Sequence, residues 1–282
     1  MQDYKKFTIT TEPFNPEEIS DLLWSLEIGG ITEFDKCLAV FVPVDGTENL
    51  NSIKDFMNSL VEQNLINSFE IDEELVEDRN WNEEFEKNVK VVEVTDKIVI
   101  KPTFRDYEEK EGQVIINIDP KMSFGTGEHE TTKLVLTLLD KYISGGEKVL
   151  DVGSGTGVLA IGTVLLGAEK AVGVDFDEWC LLNGKENIEL NKVEDKVEVR
   201  LGELKDISEN DFDFIVANIN KHILMDINSD IKERVKDNGT VILSGLLHTD
   251  EEDIVKRYSE SNFKVVEKIR MNEWIALVLK IK

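Results

Sequence analysis

Apolar residues along this chain recur with two different periods, and the changes between them predict three zones. Residues 4–10 alternate as a strand. Asn15, Pro16, Glu17 and Glu18 then have the composition of a helix start, and Ile19, Leu22, Leu23 and Leu26 fall on one helical face. Gly29 and Gly30 end that helix. Residues 31–34 and 37–44 read as a hairpin around Asp35 and Lys36. A second helix opens at Thr47 and carries Ile53, Phe56, Met57 and Leu60, and residues 68–75 return as a strand. The order β-α-β-β-α-β predicts a small ferredoxin-like α+β domain over residues 1–75.

Residues 76–112 form a linker. Its first part, 76–89, reads as a charged helix with Trp81 and Phe85 one turn apart, and 91–102 read as a strand or hairpin around Thr95 and Asp96. From 113 to 282 strands and helices alternate, which predicts a parallel sheet covered on both faces. Expected strands are 148–153, 171–175, 197–201, 212–218 and 240–244, with helices at 158–166, 178–190 and 222–235. The last two strands, 263–269 and 274–281, are joined by too few residues for a crossover helix, so they are antiparallel. The fold class is therefore α/β: a Rossmann-like sheet ending in an antiparallel hairpin, preceded by the small α+β domain.

Charge narrows the partners. The chain has 32 Lys and Arg against 58 Asp and Glu, a net charge of −26. Such a field repels phosphate backbones and anionic membranes and favours a basic protein partner, although an acidic surface also serves solubility. Two cysteines, Cys37 and Cys180, lie far apart in sequence, which fits a reducing compartment. No signal-like N-terminus and no apolar run of membrane-spanning length is seen, so a cytoplasmic, monomeric protein is expected. His129, His222 and His248 are scattered, and no metal site is expected.

The chemistry is carried by a strand running into a glycine loop, VLDVGSGTG at 149–157. Gly153, Gly155 and Gly157 permit positive φ and close approach of a ligand, and the following helix start offers N–H groups to a carboxylate or phosphate. A dinucleotide fingerprint needs a further glycine where Val158 stands. The G-x-G-x-G spacing suits S-adenosylmethionine, with the loop backbone at its methionine moiety. Asp151 is placed to accept a direct or water-mediated hydrogen bond from its ammonium. Asp175 ends the next strand (AVGVD), placed to accept from both ribose hydroxyls. Asn218, in FIVANIN at 214–220, ends the fourth strand on the same edge. Its amide oxygen is suited to orient an amine or the methionine end of the cofactor, and capping the next helix is its alternative role.

Upstream lies DPKMSFGTGEHETT at 119–132. With that segment, the glycine loop, AVGVD, Ala217-Asn218-Ile219, LSG at 243–245, Glu273-Trp274, and the connector runs WNEEFEKNVKVVEV and KIVIKPTF, the chain resembles the ribosomal protein L11 methyltransferases. The motifs cover about residues 75–282, and domain order alone carries the first 74. The resemblance implies transfer of methyl groups from S-adenosylmethionine to lysine side-chain or N-terminal amines of a basic ribosomal protein, free or on the large subunit. It implies Thr132, Gly153, Asp175 and Asn218 as cofactor contacts, Thr132 through its hydroxyl. It also implies that Phe124 and Thr126, in FGTG at 124–127, close over the cofactor and the acceptor amine. Glu130 stands where the family usually has Pro, and Asn220 and Lys221 stand where it has a small or apolar run. The alternatives are a methyltransferase for another protein or a small molecule, and a non-catalytic cofactor-binding protein of ribosome assembly.

Overall fold

The computed structural model describes residues 4–24, 26, 28–34, 36–44, 46, 48–63, 65–76, 89–119, 121 and 125–282. The chain divides into two compact units, residues 1–84 and 85–282.

The first unit runs β1 (Tyr4–Glu12), α1 (Pro16–Leu23), β2 (Gly30–Glu33), β3 (Leu38–Pro43), α2 (Leu50–Glu62) and β4 (Ser68–Val76). Its strands lie in the order β2-β3-β1-β4, every pair antiparallel, so two split βαβ crossovers interleave. Phe7 and Ile9 of β1 and Leu38, Val40 and Val42 of β3 meet Ile19 and Leu23 of α1 and Ile53, Met57 and Leu60 of α2 in one core. Both helices differ from expectation at an end. α1 stops at Leu23, before Leu26 and the glycine pair, and Asn15 makes no side-chain cap. α2 begins at Leu50 because Asn49 caps it: its Oδ1 accepts from Asn51 N (2.9 Å), and Ser52 Oγ accepts from Asn49 N (2.8 Å). Thr47, Trp81 and Phe85 lie outside the described residues.

The second unit opens with β5 (Val92–Glu93), β6 (Ile98–Lys101) and β7 (Val114–Asn117). β5 and β6 form the hairpin around Thr95 and Asp96, and β7 pairs parallel to β6. The expected boundary at 112/113 thus falls inside a three-stranded sheet. There follow α3 (Glu130–Tyr142), β8 (Lys148–Val152), α4 (Val158–Leu165), β9 (Lys170–Asp175), α5 (Glu178–Leu190), β10 (Val197–Leu201) and β11 (Phe212–Asn218). The chain ends with α6 (Lys221–Asp226), α7 (Asn228–Arg234), β12 (Val235–Leu247), α8 (Glu251–Glu260), β13 (Phe263–Met271) and β14 (Trp274–Ile281). The expected helix over 222–235 is two short helices broken at Ile227, and Val235 already belongs to β12.

The large sheet has the order β10-β9-β8-β11-β12-β14-β13. β8 to β12 are parallel, and β14 inserts antiparallel between β12 and β13. The α/β sheet with its antiparallel terminal hairpin is as the sequence predicts. Successive strand residues face opposite ways, so Val149, Val216 and Ile242 join α3, α4 and α5 in one core. Leu150, Ile215 and Val241 join α6, α7 and α8 in the other. Two covered faces explain why these strands read as nearly continuous apolar runs. α4 is buried over Val158–Val164, which suits a helix without a polar face.

The order reverses at β8, whose neighbours β9 and β11 carry the chain toward opposite edges. In an open α/β sheet that switch point, at the strand C-terminal ends, is where a crevice forms.

Candidate active site

At that edge a cleft of about 440 Å³ opens between the turns that follow β8, β9, β10 and β11. Gly153 and Asp175 line it together with Phe176, Leu204, Ile219 and Ile223. Three acids, Asp175, Glu203 and Asp226, stand among apolar walls, a composition that suits a polar sugar beside an apolar ring.

The glycine loop folds as its sequence requires. Gly153, Gly155 and Gly157 have φ of +74°, +53° and +79°. Gly153 N–H and Ser154 N–H donate to the Val174 carbonyl (2.8 and 3.2 Å), which folds the loop back onto β9. Asp175 Oδ2 accepts from Gly155 N (2.9 Å), and its Oδ1 accepts from Asp177 N (3.1 Å). The acid and the loop are thus built as one piece. A Cβ on Gly153 would enter the side chain of Ile219, and one on Gly157 would come 3.7 Å from Gly184 Cα on α5.

Asn218 stands at the end of β11, in register with Ser244 of β12. The next residue, Ile219, is gripped between Gly153 and Gly245. Gly245 has φ +77°, and a Cβ there would lie 2.5 Å from the Ile219 carbonyl oxygen. The pairing of β12 with β14 slips between Leu243 and Leu246, and this bulge gives the Asn218-Ile219 backbone its room. The LSG motif therefore acts on the site through shape. Asn220 stands at the N-cap of α6 without a side-chain cap bond. Lys221 turns to α8, pairing with Asp253 (2.7 Å) and Asp250 (3.1 Å).

Asp151 is 1 % exposed. Its Oδ2 accepts from Ala160 N (3.1 Å) and braces the first turn of α4, whose N-cap Gly157 has no side chain to do so. Burial, opposed by that bond and reinforced by the charge of Asp175, pushes its carboxyl up to about 7. Between the ordinary value of 3.8 and about 7 the folded state keeps the proton and the unfolded state releases it. Stability from this group is present at low pH and is lost as pH rises through that window. Asp151→Asn, which keeps an acceptor for Ala160, is therefore expected to melt above the wild type at pH 8 and to lose that advantage toward pH 4. Equal differences in melting temperature at pH 5 and pH 8 would refute this account.

The segment before α3 is held from several sides. Thr156 Oγ1 donates to the Gly125 carbonyl (2.9 Å), Gly127 packs on Ile100, and Thr126 Oγ1 accepts from Glu128 N (3.2 Å). Glu128 Oε1 accepts from Lys90 N (3.2 Å). His129 is the N-cap of α3: its Nδ1 accepts from Thr131 N (3.3 Å), and its ring meets Trp274 edge-on at 4.8 Å. Glu130 occupies the first helical position, where its own backbone N–H and the Asn272 amide hold its carboxyl below the usual range. A carboxylate at a helix N-terminus replaces by charge what a proline there achieves by fixed φ. Trp274 and Asn272 thus seat this helix start, while the Glu273 carbonyl accepts from His248 N.

Thr132, in the first turn of α3, is 1 % exposed. Among the described residues, five buried side-chain polar atoms have no hydrogen-bond partner, on Thr132, Asp151, Asn183, Asn218 and Asn228. Three of these, Thr132 Oγ1, Asp151 Oδ1 and Asn218 Oδ1, belong to residues that the sequence singles out. A buried polar atom left unpaired costs about 1–3 kcal/mol, so each of these three positions calls for a polar partner; none of the three residues lines the cleft itself.

Gly153 and Asp175 line the cleft, Gly155 is bonded to Asp175, and Gly157 caps α4, whereas Phe124 lies outside the described residues. Sequence reasoning missed Phe176, Leu204 and Ile223 as walls, because their apolar character reads as core until the turns are folded together. It also missed the spacing Asn183, Asn187, Asn191, which a helical wheel of 178–190 and its cap would have shown as a polar stripe.

The profile of a protein family described as ribosomal protein L11 methyltransferase (PrmA) matches residues 7–282. A ribosomal protein L11 methyltransferase of Acetivibrio thermocellus is 40 % identical over 233 residues, covering 83 % of this chain and 72 % of that protein. One of Alkaliphilus oremlandii is 39 % identical over 240 residues, covering 84 % and 76 %. Among solved structures, a ribosomal protein L11 methylase from Lactobacillus delbrueckii subsp. bulgaricus aligns with a TM-score of 0.64 at 30 % identity, over 68 % of this chain and 97 % of that one.

Proposed function

Since the chain belongs to the ribosomal protein L11 methyltransferase (PrmA) family, we propose that it transfers methyl groups from S-adenosylmethionine to lysine side-chain or N-terminal amines of ribosomal protein L11. The observation that carries this reading is the cleft at the switch point, where Gly153 and Asp175 line one wall and the chain neighbours of Asp151 and Asn218, each with an unpaired buried oxygen, also line it.

The residues present fit the cofactor. Asp175 would take the ribose hydroxyls, and Phe176 and Leu204 flank the space for the base. The 153–157 backbone, Asp151 Oδ1 and Thr132 Oγ1 would take the methionine end. The cofactor supplies a methyl group on a sulfonium, a carbon open to in-line displacement. The protein's task is then positioning more than acid–base work, since a well-aligned pair of reactants gains most of its rate from orientation. Asn218 Oδ1 is a buried acceptor with no protein partner, suited to hold an amine N–H and turn the nitrogen lone pair toward the methyl carbon. A lysine amine with an ordinary pKa near 10.4 must first lose a proton, and leaving water for an apolar cleft lowers that value. Thr126 and Phe124 are assigned to the acceptor side.

The net charge of −26 supports a cationic protein substrate over bare nucleic acid. We assign residues 1–75 to substrate recognition, and place the protein as a monomer in the cytoplasm with its substrate. The test is incubation with labelled S-adenosylmethionine and whole ribosomes, followed by mass spectrometry. Label on ribosomal protein L11 is the expected result. Label elsewhere, or cofactor bound without transfer, would overturn it.

A further inference from the structure

Helix α5 and its C-cap carry three asparagines at four-residue spacing, and all three side chains reach the stretch 117–119. Asn191 Oδ1 accepts from Asn117 N (2.8 Å), and its Nδ2 donates to the Asn117 carbonyl (2.6 Å). Asn183 Nδ2 donates to the Asp119 carbonyl (2.8 Å). Asn187 does something different. Its Oδ1 accepts from Asp119 N (2.9 Å), while its Nδ2 donates to the carbonyl of Thr156, inside the glycine loop (2.9 Å).

Thr156 has a second link. Its hydroxyl donates to the Gly125 carbonyl at 2.9 Å. Asp119 and Gly125 are therefore both tied to one loop residue, the first through its carbonyl by way of Asn187, the second through its hydroxyl. Asn187 and Thr156 are fully buried, so water offers these groups no substitute partner. The neighbouring Gly155 N–H is held in turn by Asp175. Through the Gly155–Thr156 peptide, these hydrogen bonds join the proposed ribose acid, the glycine loop and the two anchor points that precede Thr126.

We propose that Asn187 and Thr156 are a positioning pair that sets the acceptor side of the site, from Gly125 to Thr126, against the cofactor loop. This rests on the methyltransferase reading above. In-line displacement tolerates little misalignment, and a displacement of about 1 Å can cost on the order of 100-fold in rate. Neither side chain is assigned to the cofactor. The Thr156 hydroxyl acts on the acceptor side alone, whereas Asn187 also holds the Thr156 carbonyl of the loop, so the pair governs turnover more than cofactor affinity.

The test uses the full chain with Thr156→Val, which keeps the shape and removes the donor, Thr156→Ser, which restores it, and Asn187→Ala. Cofactor Kd is measured by calorimetry, and kcat and KM with ribosomal protein L11. Thr156→Val is expected to lower kcat about tenfold or more with cofactor Kd within about twofold of wild type, Asn187→Ala to lower kcat as much with a smaller loss of cofactor affinity, and Thr156→Ser to return kcat to within about threefold. A loss of cofactor affinity as large as the loss of kcat would overturn the proposal, as would unchanged kcat or failure of serine to rescue. Should Asn187→Ala not fold, the two Thr156 variants decide. Should the wild type bind cofactor and leave the ribosomal protein unmodified, the functional reading fails instead. The pair is then judged by amide exchange at Asp119, which Asn187→Ala must accelerate and whose constancy would refute it.

Discussion

Asp175→Ala is expected to abolish binding of S-adenosylmethionine, with a loss of at least about 100-fold in affinity read by calorimetry. Two effects add. A carboxylate that accepts from two ribose hydroxyls makes charge-assisted bonds, each stronger than a neutral one, worth about 1.5–3 kcal/mol. The same carboxylate also builds the loop, since its oxygens accept from Gly155 N and Asp177 N. Removing it strips the sugar contact and frees the Gly155 peptide at once. Asp175→Asn separates the two. An amide keeps one acceptor for Gly155 yet loses the charge, so its affinity should fall between wild type and alanine. Near-native affinity in the alanine variant would show that Asp175 is not the ribose ligand.

Gly153→Val is expected to give a folded protein with at least about 100-fold lower turnover. Gly153 sits at φ +74°, a region that costs a non-glycine residue about 1–3 kcal/mol and a β-branched one most of all. The added Cβ also enters the space of the Ile219 side chain. Ile219 cannot retreat far, because its backbone lies against Gly245. The strain is therefore passed to Asn218, the assigned amine-orienting residue, as well as to the cleft floor. Ile219 borders one of the two cores without being among its buried residues, so circular dichroism should remain native-like. Normal turnover in this variant would refute the loop assignment.

These two residues were legible in the sequence, and the reason is local. A glycine loop between an apolar strand and an apolar helix needs positive φ, and an acid ending the next strand lies beside it in any parallel sheet. The five strands from β8 to β12 and the closing hairpin follow from the same alternation. The elements read less well were those whose ends depend on neighbours. α2 starts at Leu50 because Asn49 and Ser52 satisfy each other's backbone, a capping contact that periodicity does not weigh. The helix expected over 222–235 breaks at Ile227, and Val235 is drawn into β12 by pairing with Phe212. Strand β7, only four residues long, is fixed by its parallel partner β6.

The roles of single residues divide in the same way. Asp151 in the sequence is an acid before a glycine loop. In the fold it is also the brace of α4, with its remaining oxygen buried and its proton affinity raised by that burial. Gly245 in the sequence is part of a short motif. In the fold it is the wall against which Ile219 lies. Lys221 in the sequence stands next to the site, yet in the fold its charge is spent on Asp250 and Asp253.

By itself the sequence determined the methyltransferase class of the sheet, the family, and the glycine loop with the acid that ends the next strand, since each depends on spacing within one or two elements. The tertiary structure alone decided which apolar residues wall the cleft, how Asn187 and Thr156 tie Asp119 and Gly125 to the loop, and which polar atoms stay buried without a partner. Those are contacts between residues about 20 to 70 positions apart, the spans of the bonds Gly155–Asp175 and Asp119–Asn187. Their formation depends on packing α5 and the switch-point turns against one another, which no local pattern records.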